Sequence, residues 1–475
     1  MEKINFGLEI HQQLNTHKLF CNCDFYSGQE TDFSILRQMR ASAGEGGAVD
    51  IAALEETKTK KFIKYIAKKD KICLVELDDE PPHLPNREAM IYSAKIAKAF
   101  GMKVRKNVIF MRKIIIDGSN VSGFQRTALL ATNGKIEVSF GNVGISNLFI
   151  EEDAAQIIGK DNGKRVFSLS RLGVPLIEIT TEMFSATPSQ IKGVAEKIGS
   201  VLRMSGFVRR GLGTIRQDIN ISVGDGKRVE IKGAQDLSQI EKIIGVEIAR
   251  QKVLRNNLKS EVRQVIPDST TRALRPISTR SRMYPETDIP IFTFSNEELA
   301  DIQQYFLEDP ETKHNRFKLL GLSDDLASQI IKSKDLFDFE DAIARFKNIE
   351  PEKIAEVFVN AKRDAQRKIE KDVISNNISC EKRQQIDNKY VLDVLELLDK
   401  KKIVFPAIVE ILVKGNHQKF EKITGENLEK EVKKIMEKSK GKDETIMIKI
   451  LMGEFRLRAD FKDVLNIYNK FHQKI

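Results

Sequence analysis

The chain of 475 residues has a net charge of +10 and an ordinary apolar content of 41%, so it can bury a large core and is expected to form two to four domains. It contains no run of about 18 apolar residues, and its opening MEKINFGLEI has no long apolar stretch, which predicts neither a membrane span nor a secretory signal. Four cysteines cannot build a disulfide framework of the secreted kind, and a cytoplasmic protein is therefore expected.

The first predicted element is a strand with one apolar and one polar face. Between Ile4 and Leu14, apolar residues stand at positions 4, 6, 8, 10 and 14, which is the period of a half-buried strand. The polar face of this strand carries Glu9, His11 and Gln13. These side chains either face solvent, as one face of an antiparallel sheet often does, or contribute to a site.

The region up to about Pro290 combines further strands with helices, which predicts an α+β fold with a mainly antiparallel sheet. Short turns such as Gly224-Asp225-Gly226 separate the strand-like runs, and proline and glycine mark the helix ends. The predicted strands are Lys106 to Asp117, Lys135 to Ile145, Val174 to Met183, Thr214 to Val223 and Lys227 to Gly233, and the predicted helices are Pro85 to Gly101 and Thr187 to Gly206.

From Ser295 onward the pattern changes to amphipathic helices with few glycines. Ser295 and Glu298 have the spacing of a capping box. Breaks are expected around Phe405-Pro406 and Gly415. The predicted domains are an α+β domain of catalytic character (1–294), a helical domain (295–404) and a basic helical tail (405–475).

The positive charge is concentrated in the last quarter of the chain. Pro351 to Ile475 contains 27 basic and 21 acidic residues and so supplies +6 of the net charge of +10. This excess indicates a polyanionic partner, although helices also carry charge on solvated faces.

Three later strands carry carboxylates where a core strand does not ordinarily place them. The acidic triplet at 151–153 follows an apolar run, and adjacent acids repel one another unless a cation or a basic group lies close. Glu178 lies inside another apolar run, where a lone buried carboxylate is costly. In TIRQDINISV, Asp218 shares a face with Arg216 and Asn220. We expect these polar faces to converge.

Convergence would produce a carboxylate-rich pocket with a single imidazole. Its members would be Glu9, His11, one of Glu151 or Glu152, Glu178 and Asp218. Such an oxygen-dominated set favours magnesium over zinc, particularly beside phosphates. The alternative is a set of structural ion pairs with arginines such as Arg171 and Arg216.

Other metal and nucleotide motifs are weak or missing. Cys21-Asn22-Cys23 is a close cysteine pair, but Cys73 and Cys380 are isolated in the sequence, so a structural role is favoured over a zinc site. The sequence has no GxxxxGK[ST] loop, no GxGxxG after a strand and no GxSxG elbow. Any use of ATP would therefore lie outside these common motifs.

A series of motifs is similar, in order, to one protein family. The motifs are GLEIHQQL, KLFCNC, LDDEPPH, VSGFQRT, IEEDAAQ, LSRLGVPLIEIT, GLGTIRQDINISV, VEIKGAQDL and RMYPETDIP. They resemble the tRNA-dependent amidotransferase subunits that convert glutamate on a mischarged tRNA to glutamine, which are the bacterial-type B subunit and the archaeal E subunit. The resemblance runs from Gly7 to about Pro290 and resumes at Met452 to Val464. The residues of its motifs are closer to those of the archaeal type.

The resemblance implies a cradle-shaped catalytic domain, a helical domain and a tail that contacts tRNA. It also implies ATP-dependent phosphorylation of the glutamyl side chain of Glu-tRNA(Gln), followed by attack of ammonia on the acyl phosphate. The implied residues are His11, Glu152 and Glu178 as partners of magnesium, with Glu9 and Asp218 in support. We expect Arg216 and Asn220, on the face of Asp218, to contact the nucleotide.

One departure from the family pattern concerns a whole domain. Archaeal E subunits typically carry a domain similar to an insertion in bacterial aspartyl-tRNA synthetases, and here only the short bridge Glu261 to Ser281 stands in its place. This departure keeps a B-type organisation of the complex open as an alternative.

The resemblance also implies a hetero-oligomer. The chain has no serine-lysine amidase array and no glutaminase cysteine signature, so a partner must supply ammonia. An E-type chain implies an asparaginase-like D subunit as that glutaminase, whereas a B-type chain implies an amidase-type subunit and a small bridging subunit. A further alternative is a tRNA-binding module without catalytic activity.

Overall fold

The computed structural model describes residues 4–26, 31–39, 62–161, 164–224, 226–277, 283–375, 386–439 and 442–472, together with Gly47 and Val49. The chain divides into two compact units, 1–307 and 308–475. The predicted separation of the helical part into two domains at residue 405 remains a prediction. Cys380 lies outside the described residues.

The first unit is built on sheets whose strands are mainly antiparallel. Its strands are β1 Ile4–Gln13, β2 Phe33–Gln38, β3 Phe62–Ala67, β4 Lys103–Val104, β5 Asn107–Val108, β6 Phe110–Ile114, β7 Phe124–Val138, β8 Gly141–Glu152, β9 Gln156–Asp161, β10 Lys164–Ser168, β11 Pro175–Thr181, β12 Phe184–Ser185, β13 Ile215–Val223, β14 Val229–Lys232, β15 Glu261–Val265, β16 Thr271–Pro276, β17 Met283–Pro285 and β18 Phe292–Thr293. Its helices are α1 Arg87–Ala99, α2 Pro188–Met204, α3 Ile240–Leu254 and α4 Asn296–Gln304.

The main sheet places β1 in its interior. The strand order is β16-β15-β14-β13-β1-β11-β8-β7-β6-β17, with β12 paired to β1 and β4 paired to β7. Within this sheet only the described pair β14 and β15 runs parallel. A separate small sheet has the order β2-β3-β10-β9. The predicted α+β class with a mainly antiparallel sheet is confirmed.

One face of the main sheet supports the core. The even-numbered side chains Phe6, Leu8 and Ile10 of β1 are fully buried in one hydrophobic cluster with residues of α1, α2 and α3. Gln12, at the next even position, is polar but is also buried. Its burial is tolerated because its Nε2 donates to backbone carbonyls, including that of Arg209 at 2.9 Å. The helices thereby cover the apolar face and leave the other face of β1 for polar side chains.

Most of the predicted elements are present, but two of the predicted strands are each divided in the structure. The segment Lys135 to Ile145 is the tip of a hairpin between β7 and β8, with a turn at Ser139 and Phe140. Gly141 follows this turn with φ +127°, a conformation that glycine adopts without a steric penalty. The predicted strand Lys106 to Asp117 is likewise divided into β5 and β6.

Helix ends follow the predicted chemistry. Thr187 and Gln190 form a capping box at the start of α2, which has proline in its first turn. The predicted box of Ser295 and Glu298 is present at the start of α4. Both boxes satisfy backbone N–H groups that the first helical turn leaves without partners.

The second unit is helical in its described part. Its helices are α5 Pro310–Leu319, α6 Asp324–Lys332, α7 Leu336–Arg345, α8 Pro351–Glu356, α9 Lys362–Ser375, α10 Asn388–Asp399, α11 Ile408–Lys414, α12 Gly425–Lys438, α13 Glu444–Phe455 and α14 Phe461–His472, with a π-helical turn at Val357–Ala361. Phe317 and Phe339 pack edge to face with ring centroids 5.2 Å apart. A distinct apolar cluster joins α12, α13 and α14 through Val432, Leu451 and Tyr468.

The predicted break at Gly415 is the left-handed end of α11, and the break at Phe405-Pro406 is a 3-10 turn. None of the helices that the structure describes has both the length and the apolar character needed to cross a membrane.

Candidate active site

The polar face of β1 meets the polar faces of its two neighbours. In the sheet register, His11 lies between Glu178 of β11 and Arg216 of β13, and Glu9 lies beside Asp218 of β13. This arrangement follows from strand geometry, because directly opposite residues in a sheet point to the same face. The structure therefore brings together Glu9, His11, Glu178 and Asp218.

His11 lies within a tight group of two carboxylates. Its Nε2 is 3.3 Å from Glu178 Oε2 and 3.9 Å from Glu151 Oε1. One ligand atom from each of these three residues falls within 4.8 Å of the others, which is the spacing that one metal ion requires. Two carboxylates and an imidazole can ligate a hard divalent cation.

The charges of this group depend on one another. Burial opposes protonation of His11, but a hydrogen bond with Glu178 and the negative charges around the ring raise the pKa of His11 above its ordinary value. Burial also opposes ionisation of Glu178, yet the charge of Lys113 and the hydrogen bond with His11 hold the pKa of Glu178 well below its ordinary value. Glu178 is therefore ionised and available as a ligand at neutral pH.

Glu152 does not lie in this group. Adjacent residues of a strand point to opposite faces, so Glu151 of β8 faces His11 and Glu152 faces away. Glu152 instead accepts a hydrogen bond from the backbone N–H of Arg126 at 2.9 Å, and burial raises its pKa. The expected association of Glu152 with His11 and Glu178 is corrected, because Glu151 occupies that place.

A second carboxylate group lies beside the first. One ligand oxygen each from Glu9, Asp218 and Glu230 falls within 4.8 Å of the others. Lys232 bridges two of these acids, with its Nζ 2.5 Å from Asp218 Oδ2 and 2.7 Å from Glu230 Oε1. Burial and then the negative charge of Glu178 raise the pKa of Glu9, which suits this carboxylate to accept a proton.

Asn220 and Arg216 differ in what they can offer a ligand. Asn220 donates from Nδ2 to Glu9 Oε1 at 3.0 Å, which fixes that carboxylate, and its own Oδ1 is buried without a partner among the described residues. Arg216 lines the cavity and pairs with Asp153, with Nη2 2.8 Å from Oδ1. Arg171 also approaches Asp153, at 3.5 Å, so the two arginines of the predicted ion pairs both contact Asp153.

Both carboxylate groups open into one cavity of about 570 Å³. This volume is typical of a small-molecule site. The lining contains seven acidic residues against five lysines and arginines, so the cavity alone is not positive enough to attract a polyphosphate. Arg228, Lys232 and Arg275 place their positive charges beside the acids.

Sequence reasoning did not identify Lys113, Glu230 or Lys232. A signal was available for the last two, because alternation in the predicted strand Lys227 to Gly233 puts them on one face. The hairpin register then pairs Asn220 with Glu230 and brings that face to the cavity. Lys113 offered no such signal, because its strand reaches Glu151 only across β7.

A separate thiol group corrects the prediction for Cys73. Ligand atoms of Cys21, Cys23, Cys73 and Glu76 lie within 4.8 Å of one another, so Cys73 is isolated only in sequence. Lys18 neutralises Glu76, with Nζ 2.6 Å from Oε1. Burial, then hydrogen bonding to Glu76, raises the pKa of Cys73 to about 12, so its thiol carries a proton in this arrangement. Three sulfur donors and one carboxylate could also hold a thiophilic metal.

Comparison with known proteins relates this chain to a family of catalytic domains. Residues 4–300 match the family described as the GatB/GatE catalytic domain, and the chain belongs to this family. It is 33% identical to the E subunit of the glutamyl-tRNA(Gln) amidotransferase of Methanocaldococcus jannaschii, with 98% of each chain covered. It is 33% identical to the protein of the same name from Pyrobaculum islandicum, over 86% of this chain and 88% of the relative.

A third relative of the same name, from Methanococcus maripaludis, is 34% identical over 74% of this chain and 78% of the relative. The predicted resemblance to the archaeal E subunit is confirmed. The comparison with the Methanocaldococcus protein spans 629 aligned positions against the 475 residues of this chain, so at least 154 positions have no counterpart here. A difference of this size fits the expected lack of an inserted domain.

Proposed function

We propose that this chain is the kinase and transamidase subunit of a glutamyl-tRNA(Gln) amidotransferase. The observation that carries the proposal is the pair of carboxylate groups around His11 and Glu9 in one open cavity, in a chain that belongs to the GatB/GatE catalytic domain family. Its substrates would be ATP, ammonia and Glu-tRNA(Gln).

The reaction would proceed in two steps. The γ-phosphoryl group of ATP moves to a side-chain carboxylate oxygen of the glutamyl group, which gives ADP and an acyl phosphate. Ammonia then forms a C–N bond at the carbonyl carbon while the C–O bond to phosphate breaks. Phosphate leaves, and nitrogen loses one proton, which Glu9 would accept.

The donor atoms of the His11 group and their spacing are compatible with magnesium, which His11, Glu151 and Glu178 would ligate. When bound, it supplies positive charge that stabilises the transferring phosphoryl group. Arg228, Lys232 and Arg275, which line the same cavity, would contact the phosphates of ATP. Asn220, which donates to Glu9 Oε1, would fix the orientation of that carboxylate.

The proposed enzyme is a cytoplasmic hetero-oligomer. The chain carries no recognisable glutaminase signature, so ammonia would come from a partner, for which an asparaginase-like D subunit is proposed. Assembly with an amidase-type subunit, as in B-type enzymes, is the second candidate. Copurification of the native complex and identification of its glutaminase separate these two assemblies.

The test of the proposed function is ATP cleavage that depends on the charged tRNA. Purified chain, ATP and magnesium should release phosphate with Glu-tRNA(Gln) but not with uncharged tRNA(Gln). If tRNA binds while charged and uncharged forms give equal, background cleavage, the chain is a tRNA-binding module without catalytic activity.

The nitrogen source should also distinguish this chain from a complete enzyme. With ammonium chloride, ATP and magnesium, the isolated chain should convert Glu-tRNA(Gln) to Gln-tRNA(Gln), whereas glutamine should give no product. The reason is that the chain has the proposed transamidase groups and lacks a glutaminase motif. Acid-gel or mass analysis of the aminoacyl group checks this expectation, and glutamine-dependent product from the isolated chain contradicts it.

The basic part of the second unit should contribute tRNA affinity more than chemistry. Arg367, Lys371 and Arg456 are exposed around one open cavity, and no carboxylate among the described residues lies within salt-bridge distance of them. Replacing all three with glutamine should raise the KM for tRNA, leave kcat near its original value and flatten the salt dependence of binding, because phosphate contacts release counterions.

A matched control removes equal charge elsewhere in the same unit. Lys430, Lys434 and Lys438 are exposed on α12, outside this cavity. Their replacement with glutamine should change the salt slope less. Equal slopes for the two triple variants, measured by filter binding between about 50 and 200 mM salt, contradict a localised contact.

A further inference from the structure

Lys113 contacts two of the three side chains that would hold a metal ion at His11. Its Nζ is 2.7 Å from Glu151 Oε2 and 3.8 Å from Glu178 Oε2, and these are the two carboxylates that flank His11. The Lys113 side chain is 17% exposed and the Glu151 side chain only 2%, so the contact is largely shielded from water. Neither the site motifs nor the proposed ligand set includes this lysine.

The contact has an electrostatic consequence. Without a counter-charge, the carboxylates of Glu151 and Glu178 would repel one another, because they lie close together in a shielded site. The Lys113 ammonium supplies this charge, but it would repel a divalent cation that approached the same oxygens. Lys113 and the metal therefore compete for Glu151 and Glu178.

We propose that Lys113 is a place-holding cation that stabilises the carboxylate pair before metal binding and turns into the cavity when the metal binds. A lysine carries its charge on a flexible four-carbon stem, so its ammonium can leave Glu151 without movement of β6. In the cavity it would contact phosphate oxygens. This second role rests on the proposed function, whereas the competition with metal does not.

The competition can be measured with the metal alone. Mn²⁺ binding to the full chain, followed by electron paramagnetic resonance without ATP or tRNA, should be about 10-fold tighter for Lys113→Met than for the natural chain. Lys113→Arg keeps the positive charge and should bind Mn²⁺ with an affinity close to that of the natural chain. Lys64→Met is the control, because Lys64 makes a comparable 2.9 Å ion pair with Asp161 on the small sheet, and it should leave Mn²⁺ affinity unchanged.

Folding gives an independent readout. Methionine has a similar length, but it leaves Glu151 and Glu178 without their ammonium, so the metal-free variant should have a lower Tm. Added Mn²⁺ should raise the Tm of Lys113→Met by more than it raises that of the natural chain. A lysine that served only to pack the sheet would give a lower Tm that metal does not restore.

The outcomes separate this inference from the proposed function. Unchanged or weaker Mn²⁺ binding by Lys113→Met, beside measurable binding by the natural chain, overturns the place-holding role and leaves the proposed function intact. Absence of Mn²⁺ binding from both chains overturns the place-holding role together with the metal site at His11, whereas the proposed function is decided by ATP cleavage that depends on Glu-tRNA(Gln). At saturating metal, Lys113→Met should cleave ATP at least about 10-fold more slowly despite its tighter metal binding, and normal cleavage would remove the phosphate contact from the proposal.

Discussion

Replacing His11 with alanine should reduce ATP cleavage with Glu-tRNA(Gln) by about 100-fold or more, the scale expected for loss of one preorganised electrostatic contact. The variant should still fold, because His11 lies on the polar face of β1 while Phe6, Leu8 and Ile10 pack into the core from the other face. The imidazole would be lost as a ligand, so the remaining activity should require more magnesium.

Single-turnover cleavage over a magnesium titration measures this effect, with circular dichroism as the folding control. His83→Ala is a matched control, because His83 also lies close to a carboxylate, that of Glu80 at 3.2 Å, but on an exposed surface. Near-normal cleavage by His11→Ala at low magnesium would make His11 part of a solvated sheet face only.

A double variant tests whether His11 and Glu178 act on one ion. Each single alanine variant should lose most of the activity, and the double variant should be much less impaired than the product of the two single effects. Multiplicative losses would instead indicate that the two side chains contribute independently.

The fold around this site could be predicted where local pattern determines structure. Alternation predicts β1, and its phase separates buried Leu8 and Ile10 from Glu9 and His11. The same reasoning holds for β13, where Ile219 and Ile221 are buried opposite the polar face. Sequence also predicts helix ends, because capping is a contact between residues only three positions apart.

The parts that could not be predicted depend on pairing between distant strands, or on strands whose sequence does not show which side chains face the core. Leu148, Phe149 and Ile150 are consecutive apolar residues, so the run that precedes Glu151 does not show which of the next two acids faces the core. Lys113 reaches Glu151 only because β6, β7 and β8 are neighbours in the sheet. No local pattern specifies that order.

The alternation of side chains along β8 puts Glu151 and Glu152 on opposite faces, so substitutions of these two neighbours should have very different effects. Glu151→Gln should weaken Mn²⁺ binding at least about 10-fold and lower ATP cleavage by about 100-fold, because a charged ligand of the His11 group becomes neutral. Glu152→Gln should leave Mn²⁺ affinity within about twofold. Its side chain points to the opposite face, where it accepts from the Arg126 backbone and where burial already raises its pKa.

The amide of Glu152→Gln can still accept that hydrogen bond, so its cost to the free energy of unfolding should be about 1 kcal/mol. Mn²⁺ titration of both variants, with thermal unfolding beside it, checks the pair. Arg126 also pairs with Glu286, at 2.8 Å, and neither substitution removes this partner. If Glu152→Gln loses metal while Glu151→Gln retains it, the two side chains have exchanged roles and the strand phase that places Glu151 beside His11 is wrong.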